Sequence, residues 1–141
     1  MANIYAVIDT NVVVSALLTR NRDAATARVL GMVISQMRIT PLYNGEIITE
    51  YNNVLKREKF GFPSELIDAI ISLIVARGLD SQRVSTTYEH FPGPKDVVFY
   101  EVALSKEDAY LVTGNIKRHF HRTPIVVTPA EMIAIINQSF P

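Results

Sequence analysis

Ile4-Tyr5-Ala6-Val7-Ile8 is a short apolar run, rich in β-branched side chains, that passes directly into Asp9-Thr10-Asn11. Such a run reads as a strand delivering a carboxylate to its own C-terminal end, and in an open α/β sheet the crevice outside the strand C-termini is where ligands bind. Asp9 is therefore the anchor of any functional reading. Asp, Thr and Asn also favour the N-cap of a following helix, so this stretch alone leaves both roles open.

The rest of the chain alternates in the same manner. Val12 to Leu18 forms a short helical segment, a polar break follows with Arg20 and Arg22, and Ala24 to Gln36 makes a second helix. Arg38 to Leu42 is β-leaning, with Pro41 marking its end rather than its middle. From Glu46 to Lys56 the residues Ile47, Ile48, Tyr51, Val54 and Leu55 recur at helical spacing; Glu50 falls on the border of that stripe and Glu46 points away from it. Ser64 to Arg77 repeats the pattern with Leu66, Ile67, Ile70, Ile71 and Ile74, a stripe read as core or as a partner surface. Gly78 stands where a helix C-terminus favours glycine.

Gln82 to Thr86 is a weak edge-strand candidate, followed by a Pro- and Gly-containing loop from Tyr88 to Pro94. The helix begun by Pro94-Lys95-Asp96 is apolar nearly all round, so Asp96 and Glu101 cannot both face bulk water. Ala109 to Thr113 and Ile125 to Val127 are strands, and Thr128-Pro129-Ala130-Glu131 carries a capping box that opens a closing helix to about Asn137. Strands separated by helices require crossovers, which predicts a mostly parallel sheet with helices on both faces.

At 141 residues the chain fits a single domain, residues 1–141, able to bury a core without staples. The absence of cysteine excludes thiol catalysis and Cys-ligated zinc. Neither a signal-peptide pattern nor a membrane-length apolar run is present, so a cytoplasmic location is expected. Fourteen basic and fourteen acidic side chains cancel, so any nucleic-acid binding must be local. The one local basic cluster is Lys117, Arg118, His119, His121 and Arg122; it reads equally as a phosphate-holding mouth or as a solvated loop. His119 and His121 lack the further ligands a zinc site needs.

Val7-Ile8-Asp9-Thr10-Asn11-Val12, Glu50-Tyr51 with Val54-Leu55-Lys56-Arg57 and Lys59-Phe60, Pro94-Lys95-Asp96 with Val98-Phe99, Val112-Thr113-Gly114 and Thr128-Pro129 together resemble the PIN-domain family, and within it the toxins of toxin-antitoxin systems. The resemblance implies a three-layer α/β/α fold with a parallel sheet of order 3-2-1-4-5. It implies a Mg²⁺- or Mn²⁺-dependent endoribonuclease acting on single-stranded RNA, with an antitoxin protein or a second copy of the chain as protein partner. Asp9, Glu50 and Asp96 would be the metal-holding acids, with Asn115 in the same site. Thr10, Asn11, Thr113, Lys117 and Arg118 would face the substrate.

Carboxylates suit such chemistry because a divalent ion held by them can generate a nucleophile near neutral pH and stabilise the leaving oxygen. Each residue also has a plainer role: Asp96 as a first-turn acid on a helix dipole, Glu50 as a solvated flank residue, Asn115 as a turn residue. Two positions depart from the family pattern. Asn115 stands where an aspartate is common, and Gly93 where an acid often precedes Pro-Lys-Asp. Asn115 offers a neutral oxygen only, so a catalytically impaired module binding RNA or protein is the alternative function. Asp108 lies at the wrong end of its strand to substitute, whereas Glu101 is expected to compensate in part. A phosphatase of the aspartyl-phosphate type would want an acid where Asn11 stands.

Overall fold

A computed structural model describes residues 4–85, 94–114 and 125–140. In chain order the elements are β1 (Ile4–Ile8), α1 (Thr10–Leu18), α2 (Ala25–Ile34), β2 (Ile39–Tyr43), α3 (Gly45–Leu55), a 3-10 turn (Glu58–Phe60), α4 (Ser64–Arg77), β3 (Leu79–Asp80), α5 (Pro94–Leu104), β4 (Tyr110–Val112), β5 (Ile125–Val127) and α6 (Pro129–Ser139). The five strands form one sheet of order β3-β2-β1-β4-β5. Every pairing is parallel, including β1 with β4 through Val7 opposite Leu111 and Ile8 opposite Val112. The result is the three-layer α/β/α architecture and the strand order that the resemblance implies.

Because all strands run the same way, their C-terminal ends lie along one edge. β1 is central, and its Ala6, Val7 and Ile8 are at most 2% exposed. Packing on the sheet comes from α5 against β1, β2 and β4, while α2 meets α1 and α6. The closing helix starts as its sequence dictates. Thr128 accepts from the Glu131 N–H at 3.1 Å and Glu131 accepts from the Thr128 N–H at 2.9 Å, a complete capping box.

The isoleucine stripe of α4 is core. Ile67, Ile70, Ile71 and Ile74 are 1–8% exposed, and each stabilises the fold by ~1.5–3 kcal/mol relative to an exposed side chain. Leu66, expected in the same stripe, lies outside it at 39% exposure.

Two local expectations, on Pro41 and on the third strand, are corrected, and Gly78 ends α4 as expected for a reason of its own. Pro41 lies inside β2, paired with Ala6, rather than at its end. The ladder from β2 to β3 begins only at Leu42, so no N–H is required of Pro41 on that side. Gly78 does follow α4, but its φ of −108° is not left-handed. Glycine is needed there for space, since a Cβ would sit 2.3 Å from the Pro41 carbonyl oxygen. Finally, the third strand is Leu79–Asp80, and residues 82–85 form no strand. That segment instead crosses to α5, where the Val84 N–H donates to the Glu101 carbonyl at 3.3 Å.

Candidate active site

The sheet sets the position of Asp9. Its N–H donates to the Val112 carbonyl at 2.9 Å, which extends the β1–β4 ladder by one step, and the Thr113 N–H does the same towards Val127 at 2.9 Å. Asp9 and Thr113 thus leave adjacent strands side by side. The Thr113 hydroxyl, fully buried, donates to Asp9 Oδ2 at 2.6 Å.

The backbone of Asp9 occupies the N-cap of α1, and its carbonyl accepts from Val12 at 2.9 Å. Its side chain makes no capping hydrogen bond. The carboxylate is therefore turned to Thr113 instead of to the helix start, and the plain capping role does not account for it.

Thr10, the next residue, is 3% exposed and donates from Oγ1 to Glu50 Oε2 on α3 at 3.4 Å. Two carboxylates forty-one positions apart in sequence are in this way tied to consecutive residues of one turn. Tyr51, beside Glu50, is 1% exposed and donates its hydroxyl to the Ile8 carbonyl at 2.5 Å. Burial pushes the Tyr51 phenol far above its ordinary range, and the negative charges of Asp9 and Glu50 push it further in the same direction. Both acids thus act on one buried ring, and the phenol remains a donor throughout the physiological range.

Beside Glu50 a cleft of about 700 Å³ opens between α3 and α5, lined by Gly45, Glu46, Thr49, Glu50 and Asn53 from one and Val98 and Phe99 from the other. Its size suits a nucleotide-sized ligand. Asn11 is exposed in the first turn of α1. The backbone of Asp96 lies in the first turn of α5, two residues before Val98. The Asp96 side chain falls outside the described residues, as do Gly93, Asn115, Lys117, Arg118, His119, His121 and Arg122.

Glu101 does not serve as the expected substitute for a missing acid. It is 5% exposed, and Oε1 accepts from Arg83 Nε at 2.7 Å, with Nη2 at 2.6 Å. The same guanidinium reaches Glu46 through Nη1 at 2.9 and 3.1 Å. Burial alone lowers the Arg83 pKa, and the two carboxylates more than offset it. Arg83 is absent from the sequence-derived residue set. A buried Glu101 on an apolar helix required a cation, but nothing local to α5 indicated which one. Asp108, with φ of 62°, precedes β4 and so sits at the end of the sheet away from Asp9.

A family model for the PIN domain matches residues 5–117. The chain belongs to the PIN-domain family. No curated protein and no solved structure gave a significant match. PIN domains are generally nucleases that act on RNA and typically use divalent metal ions. In this PIN domain β5 and α6 lie beyond the matched residues, and β5 continues the sheet through β4. Among the described residues no helix is long and apolar enough to cross a membrane.

The donor atoms of the pair Asp9 and Glu50, and of the hydroxyls beside them, are all oxygen, the hard set preferred by Mg²⁺ and Mn²⁺. Their chemistry fits such an ion. Among the described residues no group of three or more acids or histidines forms a metal-holding cluster.

Proposed function

We propose that this PIN domain is a metal-dependent endoribonuclease that cleaves phosphodiester bonds of single-stranded RNA. The observation that supports this reading is the Asp9 carboxylate, which accepts from Thr113 instead of capping α1 and whose next residue, Thr10, donates to Glu50. Asp9, Glu50 and Asp96 would hold Mg²⁺ or Mn²⁺, with the Asn115 side-chain oxygen beside them. When bound, the ion supplies a nucleophile near neutral pH and stabilisation of the leaving oxygen.

The chain's own groups have distinct tasks. Thr113 supports Asp9, Thr10 supports Glu50, and Glu50 would orient a water beside the scissile phosphate. The substrate lies along the cleft between α3 and α5; Thr10 and Thr113, both buried, act on it through the acids they hold, while Asn11 is exposed to it. Lys117 and Arg118 hold flanking phosphates, a local positive charge in a chain whose net charge is zero. The resemblance to toxins of toxin-antitoxin pairs favours an antitoxin protein as the restraining partner, and a cytoplasmic setting.

Incubating the protein with a fluorescent single-stranded oligoribonucleotide, with Mg²⁺, Mn²⁺ or a chelator, tests this reading. Cleavage that requires metal supports it, and cleavage that persists under chelation refutes it. Asn115 in place of an aspartate favours one other reading, an RNA- or protein-binding module without catalysis. That reading predicts retained RNA binding with no metal uptake up to millimolar concentration.

A further inference from the structure

Arg83 bridges the two helices that flank the cleft beside Glu50. Its guanidinium joins Glu46, which lines the cleft on α3, to Glu101 on α5. α3 carries Glu50, and the first turn of α5 carries Asp96. These two helices also meet through an apolar contact, Tyr51 against Phe99, whose ring centroids are 6.2 Å apart. Apolar packing tolerates sliding, whereas a planar guanidinium with donors on both sides fixes distance and angle at once.

Charge decides between two roles for this residue. One cation facing two carboxylates leaves the trio net negative, so Arg83 is not a phosphate ligand. We propose that Arg83 is a positioning residue, a staple that sets the separation of α3 and α5 and so the separation of Glu50 and Asp96 at the metal-holding end of the cleft. This rests on the nuclease reading above. It also gives residues 81–85 a role: β3 is two residues long, and the chain beyond it carries Arg83 to α5.

The test uses Arg83→Ala combined with Glu101→Gln, which removes the staple without leaving a buried negative charge deprived of its guanidinium. Mn²⁺ affinity is measured by calorimetry on the protein alone, kcat and KM are measured separately on the oligoribonucleotide, and folding is followed by thermal melting. The double variant should melt cooperatively, bind Mn²⁺ about 10-fold more weakly and lose about 10-fold in kcat with little change in KM, the scale seen when supports of metal ligands are removed. A folded double variant with wild-type Mn²⁺ affinity and kcat overturns the staple alone. A wild-type protein that neither binds Mn²⁺ nor cleaves RNA overturns the nuclease reading, and this inference with it. Should the double variant not fold, Arg83→Lys decides: one ammonium cannot reproduce the fork, so wild-type Mn²⁺ affinity in that variant also overturns the proposal.

Discussion

The Tyr51 hydroxyl donates a 2.5 Å hydrogen bond to the carbonyl of Ile8, the residue immediately before Asp9. α3 is thereby fastened to the end of the central strand at the point where the chain turns from sheet to site. Removing the hydroxyl leaves a buried carbonyl with one partner fewer, at a cost of ~1–2 kcal/mol. Tyr51→Phe should lower the urea midpoint accordingly and weaken Mn²⁺ binding, because Asp9 and Glu50 lose a common brace. Equilibrium unfolding and calorimetry on the same variant check both effects.

The same residue predicts a pH dependence. Burial first, and then Asp9 and Glu50, raise the Tyr51 pKa above its ordinary 10.0. Above that pH the unfolded chain releases this proton and the folded chain keeps it. The unfolded state then binds fewer protons, so stability is fully present below about pH 10 and declines as pH rises beyond it. Tyr43, raised by burial and by Asp80, adds to the decline. Tyr51→Phe should show a shallower loss between about pH 10 and 11 than the wild type, measured as urea midpoint against pH.

Arg83→Ala alone should destabilise more than Arg83→Ala with Glu101→Gln, since the single change takes the guanidinium away from a carboxylate whose side chain is 7% exposed. Breaking a buried pair costs ~3–5 kcal/mol. Arg83 and Glu46 are 35% and 54% exposed, and solvent screening reduces the expected loss to about 1–3 kcal/mol. Thermal melts of the two variants side by side measure the difference, and equal melting temperatures would contradict the account.

At Gly78 a methyl group would meet the Pro41 carbonyl oxygen at 2.3 Å and the Ile74 carbonyl oxygen at 2.9 Å, both backbone atoms. Gly78→Ala should cost about 2–3 kcal/mol and lower the melting temperature by roughly 5–10 °C. Gly45, at the start of α3 with nothing within 4 Å of an added Cβ, provides the opposite case. Gly45→Ala should leave stability unchanged or raise it by up to about 1 kcal/mol.

What the sequence disclosed follows from how local each determinant is. The strand ending at Asp9, the capping box of Thr128 and Glu131 and the stripe of α4 are encoded within one or two turns of chain, and pattern reading finds them. The interaction of Arg83 with Glu46 and Glu101 spans 37 and 18 positions and leaves no periodic trace. β3 was misplaced because two residues cannot display a period; its pairing with Leu42 and Tyr43 makes it a strand. Gly78 as the stop of α4 is legible from its position, but the reason for glycine there, the approach of Pro41, is visible only in three dimensions. In the candidate site, Asp9 and Glu50 are legible only together with their neighbours in order, since each alone fits a cap or a solvated flank. Thr113, which the resemblance turns to the substrate, is fully buried and donates to Asp9.

Asp9→Asn tests the role of charge with little change in shape, because an amide oxygen still accepts from Thr113. Cleavage should fall by roughly 100-fold or more, about 2.7 kcal/mol of barrier, while the melting temperature changes little. Asn115→Asp, which adds a negative charge where the family commonly has one, should leave activity unchanged or raise it and tighten Mn²⁺ binding.

The most direct measurement is anomalous scattering from a crystal of the protein soaked in Mn²⁺. The account predicts a peak at the C-terminal edge of β1 and β4, about 2.1 Å from a carboxylate oxygen of Asp9 and within reach of Glu50 directly or through one water. Well-diffracting soaked crystals with no manganese at that edge, or with the ion held by residues elsewhere, would contradict it.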